Sequence, residues 1–187
     1  MSPENVTVHS LIERLWIAPE HAEWTPKTNV LPLTDVKHWM ASDDIEVLGF
    51  TDAMIHDARF RIEPPLQVED YVLWVKHYCG RCFRENPDGE WSDSSYSVGW
   101  ELVRVFIKLW DNDTVSRELL LDLKLWLAGL YKNGDERLRT CIVTATLEHL
   151  FERKPIRKYF TDWRNDAILT TVYNEACLWD RKTPLSR

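Results

Sequence analysis

Several sequence patterns that indicate an enzyme are missing from this chain of 187 residues. It has no GxSxG motif, which in hydrolases places the nucleophilic serine on a strand-to-helix turn. Its six glycines are scattered singly, which excludes a Gly-rich phosphate loop. It has neither an HExxH pair nor a second CxxC pair, the spacings with which two ligands converge on zinc. We therefore predict that the chain is not an enzyme and has no cofactor.

The sequence also lacks a long apolar run and a leader-like start. No stretch is apolar over the roughly 20 residues that a membrane-spanning helix needs. The first ten residues, MSPENVTVHS, have neither the basic start nor the apolar centre of a signal peptide. We expect a cytoplasmic protein that does not act on a membrane. The four cysteines agree with this, because free buried thiols are typical of a reducing compartment.

Positive charge is scarce relative to negative charge. The chain has 23 Lys and Arg against 30 Asp and Glu, a net charge of −7, and a pI near 5.4. This balance argues against non-specific binding to nucleic acid, which needs a basic surface. It suits either ordinary solvation of the surface or the attraction of a basic protein partner.

What the chain does contain is apolar residues at helical spacing, most clearly across residues 114–153. One face of a first helix there consists of Leu119, Leu123, Trp126, Leu127 and Leu130. Asn133-Gly134 predicts that this helix ends in a left-handed residue at Gly134, and Asp135 is placed to cap the next helix. That second helix runs towards Pro155, which stops it. Two apolar helices joined by a tight turn predict a helical core.

Similar spacing predicts further helices on both sides of that pair. One ends before Asn86, another precedes Asp111, and a last one begins at about Asp166. No pair of alternating segments predicts a sheet, and no shift in composition marks a domain boundary. We predict an all-α fold with a single domain over residues 1–187. It would be a bundle or a short irregular stack of antiparallel helix pairs, of which HEAT-like stacking is one form. An irregular proline-containing segment, about residues 1–33, is expected to pack on it.

His77, Cys79 and Cys82 are the most suggestive group of metal-ligand types. A CxxC pair can hold zinc or exchange a disulfide. However, a structural zinc site normally needs a fourth ligand, and this pair lies late in a predicted helix rather than after a strand. We favour two buried thiols beside a surface imidazole, and keep a metal- or thiol-dependent role as the alternative.

The remaining candidates have simple structural interpretations. The pairs Asp43-Asp44 and Asp111/Asp113 lie at helix boundaries, where aspartates serve as caps. His149 falls on an apolar helix face, which favours a core or rim histidine with its polar atoms satisfied. Four tryptophans within apolar helical patterns are predicted to be core residues: Trp74, Trp100, Trp110 and Trp126.

Trp91 differs from these because it lies in a polar, acidic loop, residues 88–93. An exposed aromatic side chain flanked by carboxylates is a good anchor for a protein partner. The alternative is that Trp91 packs back onto the bundle, and the sequence does not decide between the two. We predict that this loop, together with the acidic residues at the end of the helix that precedes Asp111, contacts a partner. The predicted contacts are Asp88, Glu90, Trp91, Asp93, Asp111 and Asp113.

Several runs resemble a group of small bacterial helical proteins of unknown function. They are Pro65-Leu66, Glu69-Asp70-Tyr71, Cys82, RENPDGEWSD at 84–93, Tyr96-Ser97, Gly99-Trp100, GDERLR at 134–139 and LEHLF at 147–151. The resemblance covers about residues 64–179. Some members of the group resemble immunity partners of polymorphic or secreted antibacterial toxins.

The resemblance implies a protein that binds and neutralises a cognate toxin, and it carries over no functional residues. We therefore expect an immunity protein that occludes the active site of a toxin, with a basic toxin domain as its partner. The alternatives are the metal- or thiol-dependent role of His77, Cys79 and Cys82, and a helical scaffold that binds another protein.

Overall fold

The computed structural model describes residues 29–182, except for residues 58, 87, 90 and 91. Most of the irregular segment expected at about residues 1–33 therefore lies outside the described residues. The chain divides into two compact units, one ending at Leu66 and the other beginning at Gln67.

The N-terminal unit combines two short strands with two helices. Strand β1 (Asn29–Pro32) pairs in parallel with β2 (Phe60–Glu63), and helices α1 (Leu33–Met40) and α2 (Ile45–His56) connect them. The buried core of this unit consists of Leu31, Val36, Trp39 and Met54. The sequence does not predict this sheet, because strands of four residues are too short for their alternation to stand out.

The C-terminal unit is helical throughout its regular structure. Its elements are α3 (Val68–Glu85), α4 (Ser95–Trp110), α5 (Arg117–Asn133), α6 (Glu136–Cys141), a π-helix (Ile142–Leu147), α7 (Glu148–Phe151), α8 (Lys154–Tyr159), a 3₁₀-helix (Thr161–Asn165) and α9 (Leu169–Lys182). Because α6, the π-helix and α7 follow one another directly, residues 136–151 form one continuous helix with a widened middle. Helices dominate the described residues, so the predicted all-α class is confirmed.

Aspartate caps start helices where the sequence predicts them. Asp135 Oδ1 accepts a hydrogen bond from the backbone N–H of Leu138 at 2.8 Å. Asp44 Oδ1 likewise accepts from the N–H of Glu46 at 2.9 Å. Each bond satisfies a backbone donor that has no partner within its own helix.

The prediction that Gly134 adopts a left-handed conformation is wrong. Its φ is −78°, which is ordinary backbone geometry. Space explains the glycine instead, because a Cβ atom at this position would lie 2.9 Å from both Leu130 O and Leu138 Cδ2. A glycine here lets α6 turn back closely against the end of α5.

Helix α4 is the central element of the C-terminal unit. It packs against α3, α5 and the continuous helix 136–151. On one side of it, α3 and α5 run parallel to each other, because Lys76 pairs with Asp122 and, one turn later, Gly80 lies beside Trp126. A helix with so many neighbours leaves little of its own surface exposed.

Phe160 lies at the centre of an aromatic core that joins α4, α7 and the C-terminal segment. It is fully buried, and its ring centroid lies 5.6 Å from that of Phe106, 5.4 Å from Phe151 and 4.9 Å from Trp163. Tilted and edge-on rings at these distances attract one another beyond the effect of burial alone. Burial of one such side chain contributes about 1.5–3 kcal/mol.

Lys124 is a charged residue within this mostly apolar interior. Only 3% of its surface is exposed. Its Nζ donates to the backbone oxygen of Tyr159 at 2.8 Å and to Asp162 Oδ1 at 2.5 Å, and lies 4.5 Å above the Tyr159 ring. The ammonium group thereby ties α5 to the segment that follows α8.

Candidate partner-binding surface

The loop predicted to bind a partner precedes α4 and is anchored to α3. Tyr78 donates its hydroxyl hydrogen to Asp93 Oδ2 at 2.8 Å, and the same hydroxyl accepts from the Asp93 backbone N–H at 3.1 Å. Burial, and next the nearby Cys82, raise the pKa of Tyr78 far above its usual range, so the hydroxyl stays protonated. Asp93 therefore holds the loop in place, while Asp88 is exposed.

Other bonds in the loop fix its two ends. Asn86 Nδ2 donates to Ser92 Oγ at 2.8 Å, and Ser94 Oγ caps α4 by accepting from the N–H of Ser97 at 3.1 Å. Gly89 has a φ of +78°, a conformation that glycine adopts readily. The predicted contacts Glu90 and Trp91 lie outside the described residues.

Asp111 and Asp113 lie at the opposite end of α4. Both oxygens of Asp111 accept from Arg153, at 2.8 and 2.7 Å, and Asp113 is exposed. The 16 residues of α4 make it about 24 Å long. The fold therefore does not bring the two predicted groups of contacts together.

One exposed stripe of α4 connects these two ends. Apart from Ser97 in the first turn, the exposed residues of this helix are Tyr96, Trp100, Arg104 and Lys108. They recur at every fourth position, so they share one face of the helix. We call these four residues the α4 stripe. It is aromatic near the loop and cationic towards Asp111.

The aromatic end of the α4 stripe is exposed yet held in place. Tyr96 and Trp100 are 51% and 49% exposed. The imidazole of His149 stacks on Trp100 with 3.8 Å between ring centroids, and His149 Nδ1 lies 3.1 Å from Glu152 Oε1. The Trp100 ring is already held by this stacking, so it loses little further freedom when a partner covers it.

The π-helix lies directly beneath this aromatic end. A Cβ atom placed on Gly99 would lie 2.5 Å from Ala145 Cβ, so α4 and the π-helix cross with no room for a side chain at Gly99. At the crossing, Thr146 Oγ1 donates to the backbone oxygen of Gly99 at 3.1 Å. Short π-helical segments often occur at functional sites. This one sets the position from which His149 reaches Trp100.

The interpretation of Trp100 as a core residue is wrong, whereas Trp74 is buried as predicted, and Trp110 and Trp126 are half-buried. The sequence contains a signal for this difference. Trp100 lies four positions before Arg104, on a face where the other residues are polar or charged. Of the core or rim position predicted for His149, the structure shows the rim, since its side chain is 18% exposed.

The structure does not group the two cysteines with His77. Cys79 and Cys82 are buried and His77 is exposed. Among the residues that the structure describes, no three or more His, Cys, Asp and Glu side chains come together in a group that could hold a metal ion. Cys82 Sγ instead lies 3.7 Å from Ser92 Oγ in the anchored loop.

Net charge is divided unevenly between the two units. Residues 1–66 contain 11 Asp and Glu against five Lys and Arg, whereas residues 67–187 contain 19 against 18. Almost all of the excess negative charge therefore belongs to the N-terminal unit. The α4 stripe lies in the nearly neutral one.

Within the described part of the chain, none of the helices has the length and apolar character that a membrane span requires. No protein-family model, curated protein or solved structure matches this chain.

Proposed function

We propose that this chain is an immunity protein, which binds a cognate antibacterial toxin in the cytoplasm and occludes its active site. The observation that carries the proposal is the aromatic end of the α4 stripe. Trp100 and Tyr96 leave about half of their surface exposed although His149 and the crossing at Gly99 fix the helix on which they lie. Fixed, exposed tryptophan and tyrosine side chains are typical anchors of protein interfaces.

The proposed interface runs along α4 from the loop at 88–93 to Asp111 and Asp113. Its length of about 24 Å is comparable to one side of a standard protein interface, which covers about 800 Å² on each partner. The α4 stripe would contribute the centre, and the acidic residues at its two ends would form the rim. This arrangement accounts for two groups of acidic residues that lie too far apart to act as one small site.

The uneven division of net charge gives the two units different roles in binding a basic toxin. The excess of acidic residues in 1–66 would attract the toxin over a distance and speed the encounter. Close contact would depend on the α4 stripe, which lies in the nearly neutral C-terminal unit. Added salt should therefore slow association more than it speeds dissociation.

The loop is tested by the double variant Trp91→Ala with Glu90→Lys. We expect toxin binding at least tenfold weaker, because the variant removes an aromatic anchor and reverses a charge that favours a basic partner. The measurement is the dissociation constant, with the far-ultraviolet circular dichroism spectrum as the control for folding. An unchanged dissociation constant would remove the loop from the interface.

The α4 stripe is tested by Trp100→Ala, for which we also expect at least tenfold weaker binding. The matched control is Leu125→Ala, since Leu125 is 60% exposed on α5 of the same unit but lies outside the stripe. The control should bind as the wild type does. If Trp100→Ala binds as tightly as the wild type, or if both variants lose the same affinity, the α4 stripe is not the interface.

These measurements require the partner, which tagged protein can capture from its native cells for identification by mass spectrometry. The proposal predicts a stoichiometric partner whose toxic activity stops when this chain binds. A partner whose activity is unaffected would indicate a scaffold instead. A stoichiometric metal in the purified protein would favour the alternative role of His77, Cys79 and Cys82.

A further inference from the structure

A groove in the C-terminal unit lies between α3, α5 and the start of α6. None of the residues that line it belongs to the α4 stripe, and its volume is about 410 Å³. This volume falls within the range of small-molecule sites, about 300–1,000 Å³. Its walls combine apolar side chains with two guanidinium groups: Phe83, Trp126, Leu130, Leu138, Arg84 and Arg137.

Two glycines lie inside the helices that flank this groove, and one of them, Gly129, lines it. Gly129 lies in the middle of α5, and a Cβ atom there would meet nothing within 4 Å. Gly80 lies in α3, where a Cβ atom would be 3.4 Å from Arg84 Nη1 and 3.6 Å from Trp126 Cζ2, which are ordinary contact distances. Glycine destabilises a helix interior relative to alanine, and packing requires it at neither position. Gly129 lines the groove and provides space there, whereas Gly80 lies beside the groove-lining side chains of Arg84 and Trp126.

The cations of the groove lie close to its aromatic wall. The Nη1 atom of Arg84 and the ring of Trp126 approach the same point above Gly80. Arg137 Nη2 lies 3.4 Å from the backbone oxygen of Phe83, the residue before Arg84. Arg137 therefore reaches α3 beside the residue that precedes Arg84, and both arginines line the groove.

The charge of the lining favours an anion. Against the two arginines, the lining includes one carboxylate, Asp135, whose Oδ1 already accepts from the N–H of Leu138 as a helix cap. Guanidinium groups bind carboxylates and phosphates through pairs of parallel hydrogen bonds. The adjoining Trp126 and Leu130 provide a surface for a flat apolar body.

We propose that this groove binds a small molecule that carries an anionic group on a flat aromatic body. The aromatic body lies against Trp126 and Leu130, and the anion lies between Arg84 and Arg137. The site is independent of the proposed toxin interface, so either one can fail without the other.

The direct test is titration of the full chain with naphthoate. Binding is measured by calorimetry and by the chemical shifts of the backbone amides. We expect saturable binding at one site with a dissociation constant of about 1 mM or lower, and shifts centred on residues 126–138. Naphthamide, which has the same shape without the charge, should bind at least tenfold more weakly. Naphthyl phosphate in parallel tells whether the groove prefers phosphate or carboxylate.

Two substitutions at one position locate the binding in the groove. Gly129→Leu should fill the open space and weaken naphthoate binding at least tenfold, while Gly129→Ala should raise the melting temperature because it improves the helix without a clash. The double variant Arg84→Gln with Arg137→Gln should bind naphthoate and naphthamide equally. The absence of saturable binding, equal binding of the acid and the amide by the wild type, or undiminished binding by a folded Gly129→Leu variant would each overturn the proposal.

Discussion

Replacement of Lys124 by alanine is expected to lower the free energy of unfolding by about 3 kcal/mol. The substitution removes a buried side chain and leaves a void among the aromatic rings of Tyr159 and Phe160. It also deprives the backbone oxygen of Tyr159 of the donor at 2.8 Å. The carboxylate of Asp162 is 62% exposed, so water can solvate it after the lysine is gone. Most of the loss should therefore come from the void and the unpaired carbonyl.

Lys124→Met separates these two contributions, because methionine fills a similar volume without the charge. We expect this variant to lose about 1–2 kcal/mol, the effect of one unsatisfied buried carbonyl. Asp162→Ala should lose about 1–3 kcal/mol, since it leaves the buried ammonium group of Lys124 with only the backbone oxygen of Tyr159 as its partner. Urea denaturation followed by circular dichroism measures all three. Equal losses for alanine and methionine would show that the void contributes little.

Gly99→Ala should lower the free energy of unfolding by about 2–3 kcal/mol, although alanine favours helices by about 1 kcal/mol over glycine. The added methyl group would lie 2.5 Å from Ala145 Cβ, so α4 and the π-helix must separate. Separation also lengthens the hydrogen bond from Thr146 Oγ1 to Gly99 O. We further expect the His149 ring protons to lose part of the upfield shift that stacking on Trp100 produces.

A second substitution tests whether the crossing itself causes this effect. Ala145→Gly restores the space on the other helix. The double variant Gly99→Ala with Ala145→Gly should therefore lose much less stability than the sum of the losses of the two single variants. In the same variant, the His149 ring protons should regain their upfield shift in the nuclear magnetic resonance spectrum. A Gly99→Ala protein more stable than the wild type would contradict the close crossing seen here.

Helical periodicity and capping residues predict much of the C-terminal unit. The pattern around Leu123 and Leu127 identifies α5, and Asp135 identifies the start of the next helix. These features can be read from the sequence because they depend on residues within a few positions of one another. The same reasoning misses the pairing of β1 with β2, which joins residues about 30 positions apart.

The candidate surface is only partly visible in the sequence for the same reason. The loop at 88–93 stands out by composition, but the pairing of Asp111 with Arg153 and the stacking of His149 on Trp100 join residues more than 40 positions apart. Apolar content alone places Trp100 in the core, since tryptophan is the most apolar residue on its face. Only the packing of the continuous helix 136–151 shows that this face of α4 is left uncovered.

The π-helix makes the winding of the chain between residues 142 and 147 a determinant of the surface. A π-helical turn holds more residues than an α-helical turn, so everything after it is rotated relative to a regular α-helix. If the same six residues formed regular α-helical turns instead, the following side chains would be rotated by about 100°. His149 would then leave Trp100, although neither residue had changed. A single-codon deletion at this point in the gene would instead preserve the orientation of His149, because a regular helix one residue shorter covers nearly the same rotation as the π-helix.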